Sequence, residues 1–489
     1  MAKPEHALGS ADKTPASAYA EINSFFDSYA DAEDRWLRRT GEYHRLIEAV
    51  YRFQIPPGAT VLDIGCGSGS LLASLRPAVG VGVDVSVGMI ARARRLHPDL
   101  EFVVAAGEEV NLGCTFDYIV LSDLLPYADD LLALIESVGR HSHDRTRVVL
   151  NTYSRGWRPL LRTAELLGLR PSTPIRNWVA PIDVQNLLKL SGLEVLSSTE
   201  RVLFPLRVPV VSTLLNGVLA TIWPFNRLCL THWTVARPQQ QPAPETSVSV
   251  VCPCRNEAGH IARLIEGMPE FGTELELIFV EGGSTDDTRS EIERQRELHP
   301  ERKITLIGQP GKGKADAVRA GFAKAKHEVL MILDGDLSVS PEDLPKFYRA
   351  IIGGRGDLIN GSRLVYDMEP GAMRFMNVVG NKVFSRLFRT ATGQQVKDTL
   401  CGTKVLRRRD YDKIAGGRDY FGDFDPFGDF DLLFGAARIN LKIIDLPVKY
   451  GARIYGDTNI SRWRHGLLLL RMTMFAFWKF KIAVFSPRK

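Results

Sequence analysis

Short apolar runs recur along this chain, most of them stopping at a glycine or an acid and leading into a stretch that reads as helix. In the first half they are Ala59–Gly69, Val79–Asp84, Phe116–Asp123, Arg147–Leu150 and Leu228–Ala236. In the second half they are Thr246–Glu257, Leu275–Thr288 and Val329–Asp336. A brief apolar run bounded by turn residues predicts a buried strand. Strands alternating with helices predict an open sheet, whose ligands gather at the strand C-terminal edge. The pattern therefore predicts an α/β protein of two doubly wound domains, with its chemistry carried by the residues that end the strands.

The stretch Arg237–Thr246 is rich in Pro and Gln, lacks apolar periodicity and separates the two alternations. A chain of 489 residues is too long for one ordinary core. The division expected is a disordered 1–20, a first domain over 21–237, a linker over 238–246, a second domain over 247–465 and a tail over 466–489. From Arg453 onward eight Lys or Arg face the single acid Asp457, among Trp463, Phe475, Phe477, Trp478 and Phe480. This predicts a basic amphipathic helix suited to an anionic membrane surface, at the inner face of the membrane. Val208–Phe225 and Gly466–Phe485 are too interrupted to span a bilayer and read as interfacial or packed helices. With 45% hydrophobic and 24% charged residues the composition is that of a soluble globular protein. A net charge of +5 does not imply nucleic acid, and none is expected as a partner. Six cysteines without C-x-x-C spacing read as reduced thiols in a cytoplasmic protein.

In the first half, Gly65, Gly67 and Gly69 follow a strand and allow the backbone to approach a ligand closely. Asp84 ends the next strand, where a doubly wound fold places a carboxylate to hold a ribose. The series Asp63-Ile-Gly-Cys-Gly-Ser-Gly69, Asp84, Ala106-Gly-Glu108 and Phe116–Asp123 resembles the class I S-adenosylmethionine-dependent methyltransferases over roughly residues 40 to 237. The resemblance implies a Rossmann-like domain whose cofactor is S-adenosylmethionine. It puts Asp63, Gly65, Cys66, Gly67 and Gly69 along the methionine end and Asp84 on the ribose. Val85 and Met89 would lie beside the adenine, with Glu108 standing in for an acid that Gly107 lacks and Ser122 nearby. It also implies a final reversed strand, for which Leu228–Ala236 is the candidate. The methyl acceptor is less legible: transfer to a hydroxyl would benefit from a general base, and the candidates at strand C-terminal ends are Asp123, Tyr127, Asn151, Tyr153 and Arg155. His141 and His143 precede their strand and are expected at the opposite edge, as surface histidines.

In the second half, Asp334 and Asp336 end an apolar run one residue apart. Two carboxylates so placed suit a hard divalent cation, since Mg²⁺ prefers a few carboxylates plus substrate phosphates. With Thr246–Glu257, Leu275–Thr288, Gly311–Ala315, Asn360–Arg363 and Val396–Lys404, they resemble the family-two glycosyltransferases of GT-A fold, and most of all the dolichol-phosphate-mannose-synthase-like group. That resemblance implies a UDP- or GDP-sugar donor, Mg²⁺ or Mn²⁺ on Asp334 and Asp336, and a polyprenyl-phosphate acceptor. It puts Pro253, Arg255, Glu257 and Glu281 at the nucleoside. Lys314, Arg363, Asp398 and Arg453 fall around the phosphates and acceptor, and Asp431, with Asp429 beside it, matches the late acid. Gly282 replaces a second acid expected after Glu281. A hydroxyl acceptor is the alternative, with the late acid as general base, and the first half is then a binding module.

Overall fold

The computed structural model describes residues 19–208, 210–366, 375–420, 428–451, 455 and 462–485, and for 375–377 and 462–465 the backbone alone. The chain forms two compact units, Met1–Gln239 with Phe480–Lys489, and Gln240–Lys479.

The first unit is built on strands β1 (Thr60–Ile64), β2 (Val79–Asp84), β3 (Glu101–Val104), β4 (Phe116–Ser122), β5 (Ser142–Tyr153), β6 (Leu193–Arg201) and β7 (Thr231–Pro238). They form one seven-stranded sheet in the order β3-β2-β1-β4-β5-β7-β6. The first five pair in parallel, and β7 runs antiparallel between β5 and β6. The parallel strands are buried on both faces, which explains their continuous apolar runs: Val61, Leu62, Val83, Ile119, Val120, Leu121, Val148 and Val149 are all fully buried. The helix Ala20–Gln54 buries Leu46, Ile47, Val50, Tyr51 and Phe53.

Three expectations for this unit are revised. The reversed strand begins at Thr231 rather than Leu228, because Phe225–Leu228 closes a 3-10 turn first. The linker expected over 238–246 starts one residue later, since Pro238 still belongs to β7; Arg237 before it is fully buried, with its Nε 2.6 Å from Glu194 Oε1. His141 does sit at the edge away from the strand C-termini, but it is buried rather than on the surface. Its Nε2 accepts from Leu112 N at 3.0 Å and its Nδ1 faces Ser137 O at 2.8 Å, so it serves the scaffold.

The second unit contains β8 (Val248–Cys254), β9 (Leu275–Glu281), β10 (Lys303–Gly308), β11 (Val329–Ile332), β12 (Leu358–Ser362), β13 (Lys404–Arg407) and β14 (Ile443–Pro447). Their order is β10-β9-β8-β11-β13-β12-β14. Only β13 runs antiparallel to its neighbours β11 and β12. Its first residue, Lys404, therefore lies at the same edge as the C-terminal ends of the others, opposite Ile332 and Asn360. The core is formed by β8, β9 and β11 packed on the helices Ala258–Glu266 and Leu344–Ile352.

The tail does not form one piece. Helix Arg462–Phe477 packs against helix Phe375–Thr392 in the second unit, burying Leu469, Met472 and Ala476. Phe480 and Phe485 are buried in the first unit, where Phe480 meets Phe53 edge-on at 5.3 Å. Lys481 is buried there too, and burial, then the neighbouring Arg201, hold its ammonium well below its usual pKa. No described helix is long and apolar enough to cross a membrane. All six cysteines are free, and all but Cys114 are buried.

Candidate functional site

The second unit's edge collects the residues that end β8, β9, β11 and β12 and begin β13. Asp334 Oδ1 lies 2.5 Å from Lys314 Nζ, the first residue of helix Lys314–Lys324. Burial works against the charge on Lys314, but Asp334 and then Asp429 outweigh it and hold the ammonium firmly protonated. Burial likewise opposes the Asp334 carboxylate, and Lys314, Lys404 and Arg363 together bring its pKa below the usual range. Asp336 follows the turn at Gly335; its Oδ1 accepts from Ser338 N at 3.1 Å. Among the described residues no cation closes an ion pair on Asp336. Gly402 allows the backbone to pass this pair, since any side chain there would run into Asp334 and Lys314.

Lys404 is fully buried, donates to Cys401 O and lies 2.8 Å from Asp429 Oδ1. The two candidate late acids thus part company. Asp429 joins the Lys314–Lys404 cluster, whereas Asp431 binds Arg418 Nε at 2.9 Å. No role was expected for Lys404, the last residue of the Val396–Lys404 motif; its signal is a lysine opening a strand.

Arg363 directly follows β12. Its Nε and Nη2 grip Asp398 at 2.7 and 2.9 Å, and its backbone N donates to the same carboxylate at 3.0 Å. Asn381 Nδ2 adds a fourth bond at 2.6 Å. Burial opposes the Asp398 charge, but Arg363 more than offsets it and the carboxyl stays below the usual range. Asp398 therefore fixes Arg363, whose guanidinium also lies 5.0 Å over Tyr450. Asp398→Ala would leave that guanidinium without its partner, at an expected cost of about 3–5 kcal/mol. Urea unfolding checks this, and a loss under about 1 kcal/mol would refute it.

At the nucleoside side, Glu257 is buried and its Oε2 lies 2.9 Å from His260 Nδ1. Glu281 accepts from Ser284 N at 2.5 Å. Gly282 N donates to Cys254 O at 2.9 Å. The place of the missing second acid faces the Gln309 amide oxygen and Arg255, which a side chain on Gly282 would press against. Pro253 O lies next to Gly335, joining this side to the carboxylate turn. Arg453 falls outside the described residues. Asp334 and Asp336 are carboxylates of the type that would hold a hard divalent cation; among the described residues no group of three or more metal-binding side chains gathers.

In the first unit, Gly67 N and Ser86 N each donate to Asp84 at 2.9 Å, which aims the carboxylate along the glycine turn. Gly67 stands against the buried Met89, and Cys66 lies under Gly82. Val85 packs with Tyr19, Phe26 and Tyr127. Helix Ala20–Gln54 covers these loops: Asp27 accepts from Ser86 Oγ and Gly88 N at 2.6 and 2.8 Å, and Glu33 accepts from Ser68 Oγ at 2.8 Å. Glu108 is already engaged, accepting from Tyr19 and from Asp129 N and Asp130 N. Asp63 is buried and neither of its oxygens has a hydrogen-bond partner. Burial, with Asp84 nearby, raises its pKa to about 7. A carboxylate orphaned in this way fits a cationic ligand, and S-adenosylmethionine carries an ammonium and a sulfonium.

Ser122 ends β4 opposite Asn151 of β5. The next residue, Asp123, turns with a φ of 52° and accepts from Tyr43 OH at 2.7 Å and Asn151 Nδ2 at 2.6 Å. Burial raises its pKa to about 6, against the pull of Tyr43 and Tyr153. Tyr43 and Tyr153 stack at 6.0 Å beside it. An acid so poised, at the expected acceptor edge, is suited to proton transfer near neutral pH.

Comparison with known proteins agrees with both units. The family model for Glycosyl transferase family 2 matches residues 249–415, and a Methyltransferase domain model matches residues 35–198. Glycosyltransferase AglJ of Haloferax volcanii is 31% identical over 227 residues, covering 46% of this chain and 70% of AglJ. The undecaprenyl-phosphate 4-deoxy-4-formamido-L-arabinose transferase of Proteus mirabilis is 26% identical, over 44% of this chain and 63% of its own length. The hexosyltransferase Agl6 of Haloferax volcanii is matched over 53% of its length. Two of these three relatives are thus spanned over less than two thirds. Among solved structures, the glucosyl-3-phosphoglycerate synthase of Mycobacterium tuberculosis with UDP aligns over 47% of this chain and 80% of its own, at 20% identity and a TM-score of 0.35. The magnesium protoporphyrin IX methyltransferase of Synechocystis aligns over 44% and 97%, at 17% identity and a TM-score of 0.32.

Proposed function

We propose, from the premise that this chain belongs to glycosyl transferase family 2 and carries a class I methyltransferase domain, that it transfers a sugar from a UDP- or GDP-sugar to a polyprenyl phosphate and methylates a product of the same pathway. The observation that carries the first part is the pairing of Asp334 with Lys314 beside the unpaired Asp336 at the strand edge. The donor leaves as a diphosphate, so charge develops where Lys314 and Arg363 are fixed. A bound Mg²⁺ or Mn²⁺ supplies a Lewis acid for that diphosphate, held by Asp334 and Asp336. Displacement in line with the leaving group inverts the sugar's anomeric centre.

Asp429 supports a lipid-phosphate acceptor. Its Oδ1 is engaged by Lys404 at 2.8 Å, an arrangement that suits orienting the acceptor or the sugar hydroxyls. A lipid phosphate needs no base because its oxygen is already anionic near pH 7. Apolar surface supports a membrane source. In the second unit Val379, Val383, Leu467, Leu470 and Met474 are exposed on the packed helices. In the first, Leu206, Val208, Val210, Leu214, Trp223 and Leu228 are exposed, with no acid between Glu200 and Glu245. Patches of this kind mark interaction sites, and Arg207 and Arg227 suit anionic lipid. We place the protein peripherally on the inner face of the membrane. Nucleotide release from a panel of UDP- and GDP-sugars, with polyprenyl phosphate against soluble glycans, tests this reading. Release stimulated only by glycans would overturn the lipid acceptor.

For the methyltransferase, S-adenosylmethionine supplies an electrophilic methyl group when bound, and Asp123 takes the proton of an acceptor hydroxyl. Only the ionised carboxylate can do so. Methyl transfer should therefore fall about tenfold per pH unit below the Asp123 pKa of about 6. Asp123→Asn should remove that inflection and slow transfer roughly 10²–10⁴-fold. A pH–rate profile of kcat/KM is the check, and an unchanged inflection in the variant would assign it elsewhere.

A further inference from the structure

The first unit holds a cavity of ≈ 540 Å³ lined by Arg155, Arg158, Arg162, Arg176, Glu165 and Trp178 among others. One wall follows β5 directly: Arg155 lies in the turn Arg155–Trp157, and Arg158 and Arg162 on helix Arg158–Leu166. The facing wall, around Ser172–Trp178, is tied to the loop after β4. Arg176 N and Asn177 N donate to Pro126 O at 2.9 and 3.1 Å, and Asn177 Nδ2 reaches Ala128 O at 2.7 Å. The cavity is thus built from the segments that leave β4 and β5 at their C-terminal ends, where an open α/β sheet receives its substrate.

Its charge is one-sided. From Arg155 to Trp178 there are five arginines and a single acid, Glu165. Arg176 is paired with Asp129 at 3.1 Å, and Glu165 faces Arg170 at 3.6 Å. Among the described residues Arg155, Arg158 and Arg162 have no carboxylate partner, although all three line the same space. Guanidinium groups are matched in shape and charge to phosphate oxygens, which they grip two at a time. Arg158 also lies 5.8 Å over Trp178, which holds it against the cavity wall.

The cavity is coupled to the candidate base. Arg170 donates to Thr173 Oγ1 at 2.9 Å, and Thr173 lines the cavity. The Arg170 guanidinium lies 5.9 Å over the Tyr153 ring, which neighbours Asp123. Arg170 thus bridges the cavity wall at Thr173 and the Tyr153 ring beside Asp123.

We infer that this cavity binds a phosphate group of the methyl acceptor, so that the methyltransferase acts on a phosphorylated sugar rather than a neutral one. The inference rests on the methyltransferase reading above. The same phosphate chemistry occurs in a soluble sugar phosphate and in a lipid-linked one, and the test separates them. Full-length protein with S-adenosylhomocysteine is titrated with glucose, with glucose 1-phosphate, and with decaprenyl phosphate in detergent micelles. Tryptophan fluorescence is the readout, with Trp178→Phe identifying the local signal. Glucose 1-phosphate is expected to give a saturable Trp178-dependent change that glucose does not. Arg158→Ala with Arg162→Ala should weaken it roughly 10- to 100-fold, and the two lysine replacements less. Both arginines are exposed, so the melting temperature and S-adenosylhomocysteine binding should be retained. An arginine-dependent response to decaprenyl phosphate without one to glucose 1-phosphate would assign the cavity to a lipid phosphate and overturn the phosphorylated-sugar acceptor. Phosphate signals indifferent to both arginines would overturn the inference. Failure of the wild type to bind S-adenosylhomocysteine in calorimetry would instead overturn the methyltransferase reading, and is seen independently of the phosphate titration.

Discussion

Asp336→Asn is expected to lower sugar transfer roughly 10²–10⁴-fold, the several kcal/mol that a cation contributes to a developing diphosphate charge, with almost no loss of stability. Asp336 is half-buried and accepts one backbone hydrogen bond, from Ser338. Replacing one of its oxygens by an amide nitrogen removes a ligand without stranding a neighbour, so the melting temperature should stay within about 2 °C. Asp334→Asn makes the contrast. Its partner Lys314, 2.5 Å away, would lose the carboxylate that keeps it charged in a partly buried place. The second variant should therefore lose activity and also about 1–3 kcal/mol of stability. Transfer rates and thermal melts of both variants, at several Mn²⁺ concentrations, decide the matter. Equal destabilisation, or full activity in Asp336→Asn, would mean that these acids are structural.

Asp63→Asn should move stability and cofactor affinity in opposite directions. The buried Asp63 carboxyl has a pKa of about 7, against 3.8 for the exposed group. The folded state therefore holds a proton that the unfolded state has released between those values. Stability is lost as pH rises through that window, and the full penalty, at most roughly 4 kcal/mol, is present above pH 7. Asparagine has no such titration. The melting temperature of the ligand-free variant should gain on the wild type as pH rises from 5 to 8. Its affinity for S-adenosylmethionine should fall roughly 10- to 150-fold at pH 8, the range for one hydrogen bond to a charged group. Wild-type affinity should rise between pH 6 and 8 as Asp63 ionises. Melts with and without ligand across that range measure both effects. Parallel pH curves for the two proteins would show that Asp63 is not the group responsible.

Much of this was legible because parallel strands bury both faces and deliver their last residue to the ligand edge. Apolar runs ending in Asp84, Asp123, Glu281 and Asp334 therefore announced both sheets and the edge at which these acids stand. What was not legible depends on pairing between distant segments. Lys404 faces Asp429 only because β13 runs backwards between β11 and β12, a reversal that the local pattern of Lys404–Arg407 does not encode. The same pairing draws Asp429 rather than Asp431 into the cation cluster, although both stand in the first turn of helix Asp429–Arg438. His141 was expected on the surface because it precedes its strand, yet it is buried and accepts from Leu112 N. The tail was read as one amphipathic helix, but its apolar residues serve two different cores. The arginines after β5 were visible in sequence; their convergence on one cavity required the second wall at Ser172–Trp178.

The central claim is that one chain builds a lipid-linked sugar and methylates a phosphorylated sugar of that pathway. Its most direct test is to incubate the full chain with polyprenyl phosphate, Mn²⁺, the donor selected by nucleotide release and methyl-labelled S-adenosylmethionine, then to weigh the extracted lipid. The account predicts a lipid heavier by one sugar, absent with Asp336→Asn, and labelled methyl on a phosphorylated sugar. Free sugar and nucleotide with an unaltered lipid would contradict it.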